Sequence, residues 1–115
     1  MRVQSHIWVN ALLRRAQAAG AFATVINRGA DAAGAIFVCV SNLAGQTLLL
    51  GPAPQMSYET DDFDRRFQIM LDDATDAQVR EKLASEMRFD PDIWVVEIED
   101  RQQRSFIEDE LIVRL

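Results

Sequence analysis

Ala35-Ile36-Phe37-Val38-Cys39-Val40, then Ser41-Asn42-Leu43-Ala44-Gly45, then Gln46-Thr47-Leu48-Leu49-Leu50, is the stretch that decides the fold. Its first six residues are rich in β-branched and aromatic side chains and apolar on both faces, the pattern of a strand covered on both sides at the centre of a sheet. Asn42-Leu43-Ala44-Gly45 supplies a hairpin-type turn with a glycine free to take positive φ, so Gln46 to Leu50 is predicted to return as a second strand. Upstream, Phe22, Thr24 and Ile26 alternate with Ala23, Val25 and Asn27 between Gly20 and the turn at 28–31, which predicts a further strand. Three strands joined by short turns favour an antiparallel meander over a parallel crossover unit.

Helices flank these strands. Ser5 is a plausible N-cap, and Trp8, Ala11, Leu12, Ala16 and Ala19 follow at helical spacing until Gly20, predicting a helix over 6–19. Thr75-Asp76-Ala77-Gln78 has the form of a capping box, and Val79, Leu83 and Met87 recur behind it, predicting a helix over 76–88 that stops at Phe89-Asp90-Pro91. Gly51-Pro52-Ala53-Pro54 breaks the ladder, because proline lacks the amide a sheet needs. Tyr58 opens a short segment, Glu59 to Asp62 read as an exposed acidic stretch, and Phe63 joins the apolar members that follow. Arg65 to Leu71 alternates as a strand, with a helix through the same residues as the alternative. Ile93 to Glu99 is a strand with Trp94, Val96 and Ile98 on one face and Val95, Glu97 and Glu99 on the other, while Phe106 to Leu111 is expected to close as a short helix, with a last strand paired with residues 93–99 as the alternative. The fold class is therefore α+β: one domain over 1–115, with a mostly antiparallel sheet packed by two main helices.

Composition bounds the function. With 115 residues, 49% hydrophobic and 26% charged, the chain has material for one ordinary hydrophobic core. One cysteine, Cys39, and one histidine, His6, make neither an internal disulfide nor a Cys/His zinc site. The formal charge of −6 argues against the broad basic surface that nucleic-acid binding needs. That charge is uneven: Arg2, Arg14, Arg15 and Arg28 face Asp31 alone over 1–57, a net +3, whereas 58–115 carry 8 bases and 17 acids, a net −9. The N-terminal segment has no uninterrupted apolar run before Asn10, and no stretch reaches membrane-spanning length, so neither secretion nor membrane insertion is expected. A cytoplasmic location follows as the expectation.

Few residues carry a recognisable chemistry. Cys39 sits inside an apolar strand, where a thiol is filler, and none of the serines lies in a nucleophile elbow that would use His6. The glycines are scattered singly and form no phosphate loop, and no cofactor is expected. Asp90, Asp92, Glu97 and Glu99 are the candidate metal ligands, because an Asp followed by a Glu-x-Glu resembles the spacing of restriction-like nuclease sites. The lysine such sites use is missing, since the only lysine is Lys82. Leu48-Leu49-Leu50 alternates poorly, so at least one leucine is expected to face away from the principal core, covered by the C-terminal segment or by another subunit, and the second of these favours a homodimer.

Trp8 to Arg15, Ala18 to Phe22, Gly51 to Gln55 and, most specifically, Phe89-Asp90-Pro91-Asp92-Ile93-Trp94-Val95-Val96-Glu97-Ile98-Glu99-Asp100-Arg101 together resemble a family of small alphaproteobacterial proteins known only as a domain of unknown function, of about this length. The resemblance covers essentially the whole chain and implies one bacterial cytosolic domain. It carries over no catalytic or binding residue, because that family has no assigned activity. The functional expectation is a protein-interaction or regulatory module whose partner surface comprises Arg14, Arg15, Pro52, Pro54, Gln55, Phe89, Asp90 and Trp94. The alternative is a metal-dependent hydrolase or nuclease at the four acids named above.

Overall fold

The computed structural model describes residues 3–54 and 65–114. Gln55, Tyr58, the Glu59 to Asp62 stretch and Phe63 lie outside them. The first helix, α1, runs Ser5–Ala18, one residue earlier than its apolar spacing predicts, because Gln4 and not Ser5 is the N-cap. Ser5 is instead buried, and its hydroxyl donates to the Gly34 carbonyl at 2.7 Å. The buried stripe of α1 is Ser5, Val9, Leu12 and Ala16, one face of the helix at alternating four- and three-residue steps. Gly20, at φ 91°, takes the left-handed position that ends the helix.

The strands are β1 (Phe22–Asn27), β2 (Ile36–Ser41), β3 (Thr47–Pro52), β4 (Phe67–Ala74), β5 (Trp94–Glu99) and β6 (Ile112–Val113), with α2 (Asp76–Phe89) between β4 and β5. They form one sheet in the order β1-β5-β2-β3-β4-β6. Of the expected antiparallel meander β1–β2–β3 only the β2–β3 hairpin holds, because β1 pairs with β5 rather than β2; β4 adds a further antiparallel strand beside β3. The sheet is mixed rather than mostly antiparallel, since β5 runs parallel to β2 and β6 parallel to β4. Sequence alternation specifies which face a side chain takes and leaves the neighbouring strand open.

β2 is central and buried on both faces, as its composition requires. Ile36, Val38 and Val40 meet Val9, Leu12 and Ala16 of α1 together with Trp94, Val96 and Ile98. On the opposite face Phe37 and Cys39 meet Leu49, Ile93, Val95 and Val79 of α2. One helix thus covers each face of the sheet. The two-sided core also places the leucine triplet: Leu49 packs on the α2 side, Leu50 on the α1 side, and Leu48 is partly buried beside it. No leucine of the three is left over for another subunit, so that argument for a homodimer falls.

Further boundaries differ from expectation, and β4 runs Phe67–Ala74 rather than from Arg65 to Leu71. β3 continues through Gly51 and Pro52, which pair with Gln68 and Phe67, and the Pro52 carbonyl accepts from the Gln68 side chain at 3.1 Å. The segment 106–111 is not a regular helix: a single 3-10 turn, Asp109–Leu111, leads into β6. Because β5 lies between β1 and β2, the positive first half and the acidic second half of the sequence interleave in the sheet, and the charge division by halves has no counterpart as two separate regions.

Candidate functional site

The α2 side is the lightly covered side. Helix α2 starts at a true capping box, with the Thr75 hydroxyl accepting from the Gln78 amide at 3.2 Å and the Gln78 side chain accepting from the Thr75 amide at 2.9 Å. It inserts one buried side chain, Val79, with Leu83 and Met87 partly buried, whereas α1 buries four. A single helix is ~10 Å wide and adjacent strands are ~4.8 Å apart, so one helix shields about two strands of a six-stranded sheet. Clefts therefore open at both ends of α2.

At the head of α2 a cleft of about 360 Å³ has a floor of Cys39, Ser41, Val95, Glu97 and Glu99, with Asp76, Val79, Arg80 and Leu83 above and Ile26 at its rim. Glu97 and Glu99 share this face about 7 Å apart by the strand rise. Burial first, then the Glu99 and Asp76 carboxylates, raise the Glu97 pKa above that of an ordinary glutamate. Burial, followed by Glu97, pushes the Cys39 thiol up to about 12, so Cys39 offers no thiolate at neutral pH. Its inertness agrees with its reading as filler. His6 stands elsewhere, at the start of α1, with Nδ1 3.0 Å from the Asp31 carbonyl.

Beside this cleft the outer strand leaves its apolar residues bare. Phe22 and Thr24 pair with Glu99 and Glu97, so they project on the α2 side, where Phe22 is 76% and Ile26 is 58% exposed. The sequence pattern gave β1 two faces without marking this one as open. The available signal was the absence of any charge in Phe22 to Asn27.

The residues expected at a partner surface do not form one patch. Pro52, Phe89 and Asp90 do meet, around a second groove of about 310 Å³ at the far end of α2 that also includes Phe37, Met70 and Ile93. Pro54 is exposed and does not line it, and Gln55 is outside the described residues. Arg14 and Arg15 lie on α1, across the sheet, with Arg15 Nε donating to the Phe106 carbonyl at 3.2 Å. Trp94 is not a surface residue: it is 2% exposed, and its indole N–H donates to the Ala30 carbonyl at 2.8 Å beneath the Arg28 guanidinium.

The four candidate metal ligands are also divided. Asp90 and Asp92 flank Pro91 ahead of β5, where the Asp90 carboxylate accepts from the Asp92 amide at 3.0 Å. Glu97 and Glu99 are at the other end of that strand, and its run from Trp94 to Glu99 spans about 16 Å. No group of three or more His, Cys, Asp or Glu among the described residues converges as a metal site. Among those residues, no helix is long and apolar enough to cross a membrane.

A two-sided mixed sheet with one helix on each face defines a small α+β domain. The chain belongs to the DUF1491 family, a protein family of unknown function whose pattern matches residues 3–108. It is similar to the crystal structure of a DUF1491 family protein from Caulobacter crescentus CB15, at 35% identity and a TM-score of 0.82 over 99% of this chain and 100% of that one. A solution structure of protein Atu0922 from A. tumefaciens is 46% identical, with a TM-score of 0.77 over 86% of each chain. Among curated proteins, no match is found.

Proposed function

We propose that the chain is a non-enzymatic interaction module that receives a cationic, partly apolar protein segment on the α2 side of the sheet, at the cleft formed by Glu97 and Glu99. The observation that carries this reading is the pairing of bare apolar side chains, Phe22 and Ile26, with three carboxylates, Glu97, Glu99 and Asp76, against one lining arginine, Arg80. Exposed ion pairs contribute ~0.2–1 kcal/mol each, so the carboxylates select and steer a positive partner, while burial of Phe22 and Ile26 supplies affinity. The metal-hydrolase alternative requires Asp90 and Asp92 to join Glu97 and Glu99, which the length of β5 prevents.

Titration of the isotope-labelled chain with a disordered lysine–valine peptide tests the reading, with a glutamate–valine peptide as control. Shifts at Phe22, Ile26, Asp76, Glu97 and Glu99 are expected with the basic peptide alone. Glu97→Gln with Glu99→Gln should weaken binding about tenfold, equivalent to ~1.4 kcal/mol, and Phe89→Ser should leave it unchanged. Equal binding of the acidic peptide, or shifts centred on α1, would refute the assignment.

A further inference from the structure

Among the described residues, β1 has a sheet partner on one side only. It ends the strand order and pairs with β5, and no charged residue or proline interrupts Phe22 to Asn27 to blunt the edge. Gln17 of α1 donates to the Ala23 carbonyl at 3.1 Å, which shows that this carbonyl points away from β5. By the alternation of an antiparallel ladder, the Ala23 and Val25 backbone groups face outward and the Phe22 and Thr24 groups face β5. A register shift at Ile26 ends this outward row.

We propose that β1 accepts an extended segment of a basic partner protein as an additional strand, the partner's main chain bonding to the Ala23 amide and to Val25 and sharing the Ala23 carbonyl with Gln17, while its alternate side chains lie over Phe22 and Ile26. This rests on the reading above and specifies how the cationic segment is held. A strand added ~4.8 Å outside β1 stands ~10 Å from β5, a gap that a lysine or arginine on the α2 side and the Glu97 or Glu99 side chain span between them. Charge decides the occupant. A second copy would bring its own Glu97 and Glu99 to the same face and add −6 to −6, whereas a basic strand neutralises the carboxylates that crowd Glu97.

The test uses a ten-residue peptide of alternating valine and lysine and two versions of it, N-methylated at alternate backbone nitrogens in one phase or the other. Strand addition predicts that one methylated phase loses at least tenfold in affinity while the other binds as the parent does, and that the parent slows exchange of the Ala23 and Val25 amides at least tenfold. Ala23→Pro in the full chain should abolish binding, because it removes an outward amide, and the β1–β5 ladder should persist. Equal binding of both methylated phases, or parent binding without amide protection, would overturn strand addition and leave charge-led docking standing. Failure of the parent and of the disordered lysine–valine peptide would overturn both readings. A chain that sediments as a dimer, with Ala23 and Val25 amides protected before any peptide is added, would assign the edge to a second copy and overturn the proposal.

Discussion

Trp94→Phe is expected to cost about 3 kcal/mol, a loss that follows from three contacts. The indole N–H to Ala30 bond of 2.8 Å is worth ~1 kcal/mol, and not more, because the Ala30 carbonyl keeps the Gly34 amide at 3.2 Å. The Arg28 guanidinium, 5.1 Å from the ring centroid and largely exposed, contributes ~0.5 kcal/mol. Phenylalanine also lacks part of the indole ring system in a fully packed site, which costs ~1.5 kcal/mol at the usual value per buried carbon. Urea unfolding followed by circular dichroism should show the midpoint falling by ~2 M with an unchanged slope, for a slope of ~1.5 kcal/mol per molar. Arg28→Ala, which removes only the ring contact and an exposed pair with Asp31, should cost ~0.5 kcal/mol. A Trp94→Phe loss below ~0.5 kcal/mol would refute the structural role and restore Trp94 as a surface anchor.

Further outcomes follow from the same contacts. A Cβ on Gly29 would lie 2.4 Å from the Asp92 carbonyl oxygen and 2.6 Å from the Ile93 carbonyl carbon, so Gly29→Ala should cost at least ~2 kcal/mol in the same assay; a neutral result would mean that the turn before β5 yields freely. Thr75→Ala removes the capping hydroxyl of α2 and should cost ~1 kcal/mol, with faster amide exchange confined to the first turn as the signature. Because the Glu97 pKa is raised on folding, its ionisation opposes folding: the penalty is absent below the ordinary glutamate pKa, grows as pH rises through the folded value, and is complete above it. Glu97→Gln should therefore melt higher than the parent at pH 7 and alike at pH 3.5, and equal melting at pH 7 would remove crowding of Glu97 as a feature of the site.

What the sequence discloses depends on whether a feature is local. The two-sided burial of β2 was legible because Phe37 and Cys39 are as apolar as Ile36 and Val38. The head of α2 was legible because a capping box is a three-residue relation. The partner of β1 was not, since nothing in Phe22 to Asn27 distinguishes β5 from β2 as a neighbour. Ser5 has the chemistry of an N-cap, but the carbonyl of Gly34, distant in sequence, claims its hydroxyl. Of the site, Glu97 and Glu99 on one face and the inert Cys39 were readable from alternation. Asp76 above them and the open side of β1 appear only once α2 is seen to lie over the middle of the sheet, whereas the separation of Asp90 from Glu99 was already implied by the strand read over Ile93 to Glu99.

The insertion of β5 between β1 and β2 also sets the order of events at the ribosome. β1 emerges early, and its hydrogen-bonding partner is among the last strands to be made. Until residues 94–99 appear, the emerging chain can form the β2–β3–β4 hairpins, but Phe22 to Asn27 must wait with both edges unpaired. The sheet is therefore completed after most of the chain has been synthesised, and a nascent chain arrested before Trp94 displays an apolar strand of the kind that chaperones shield.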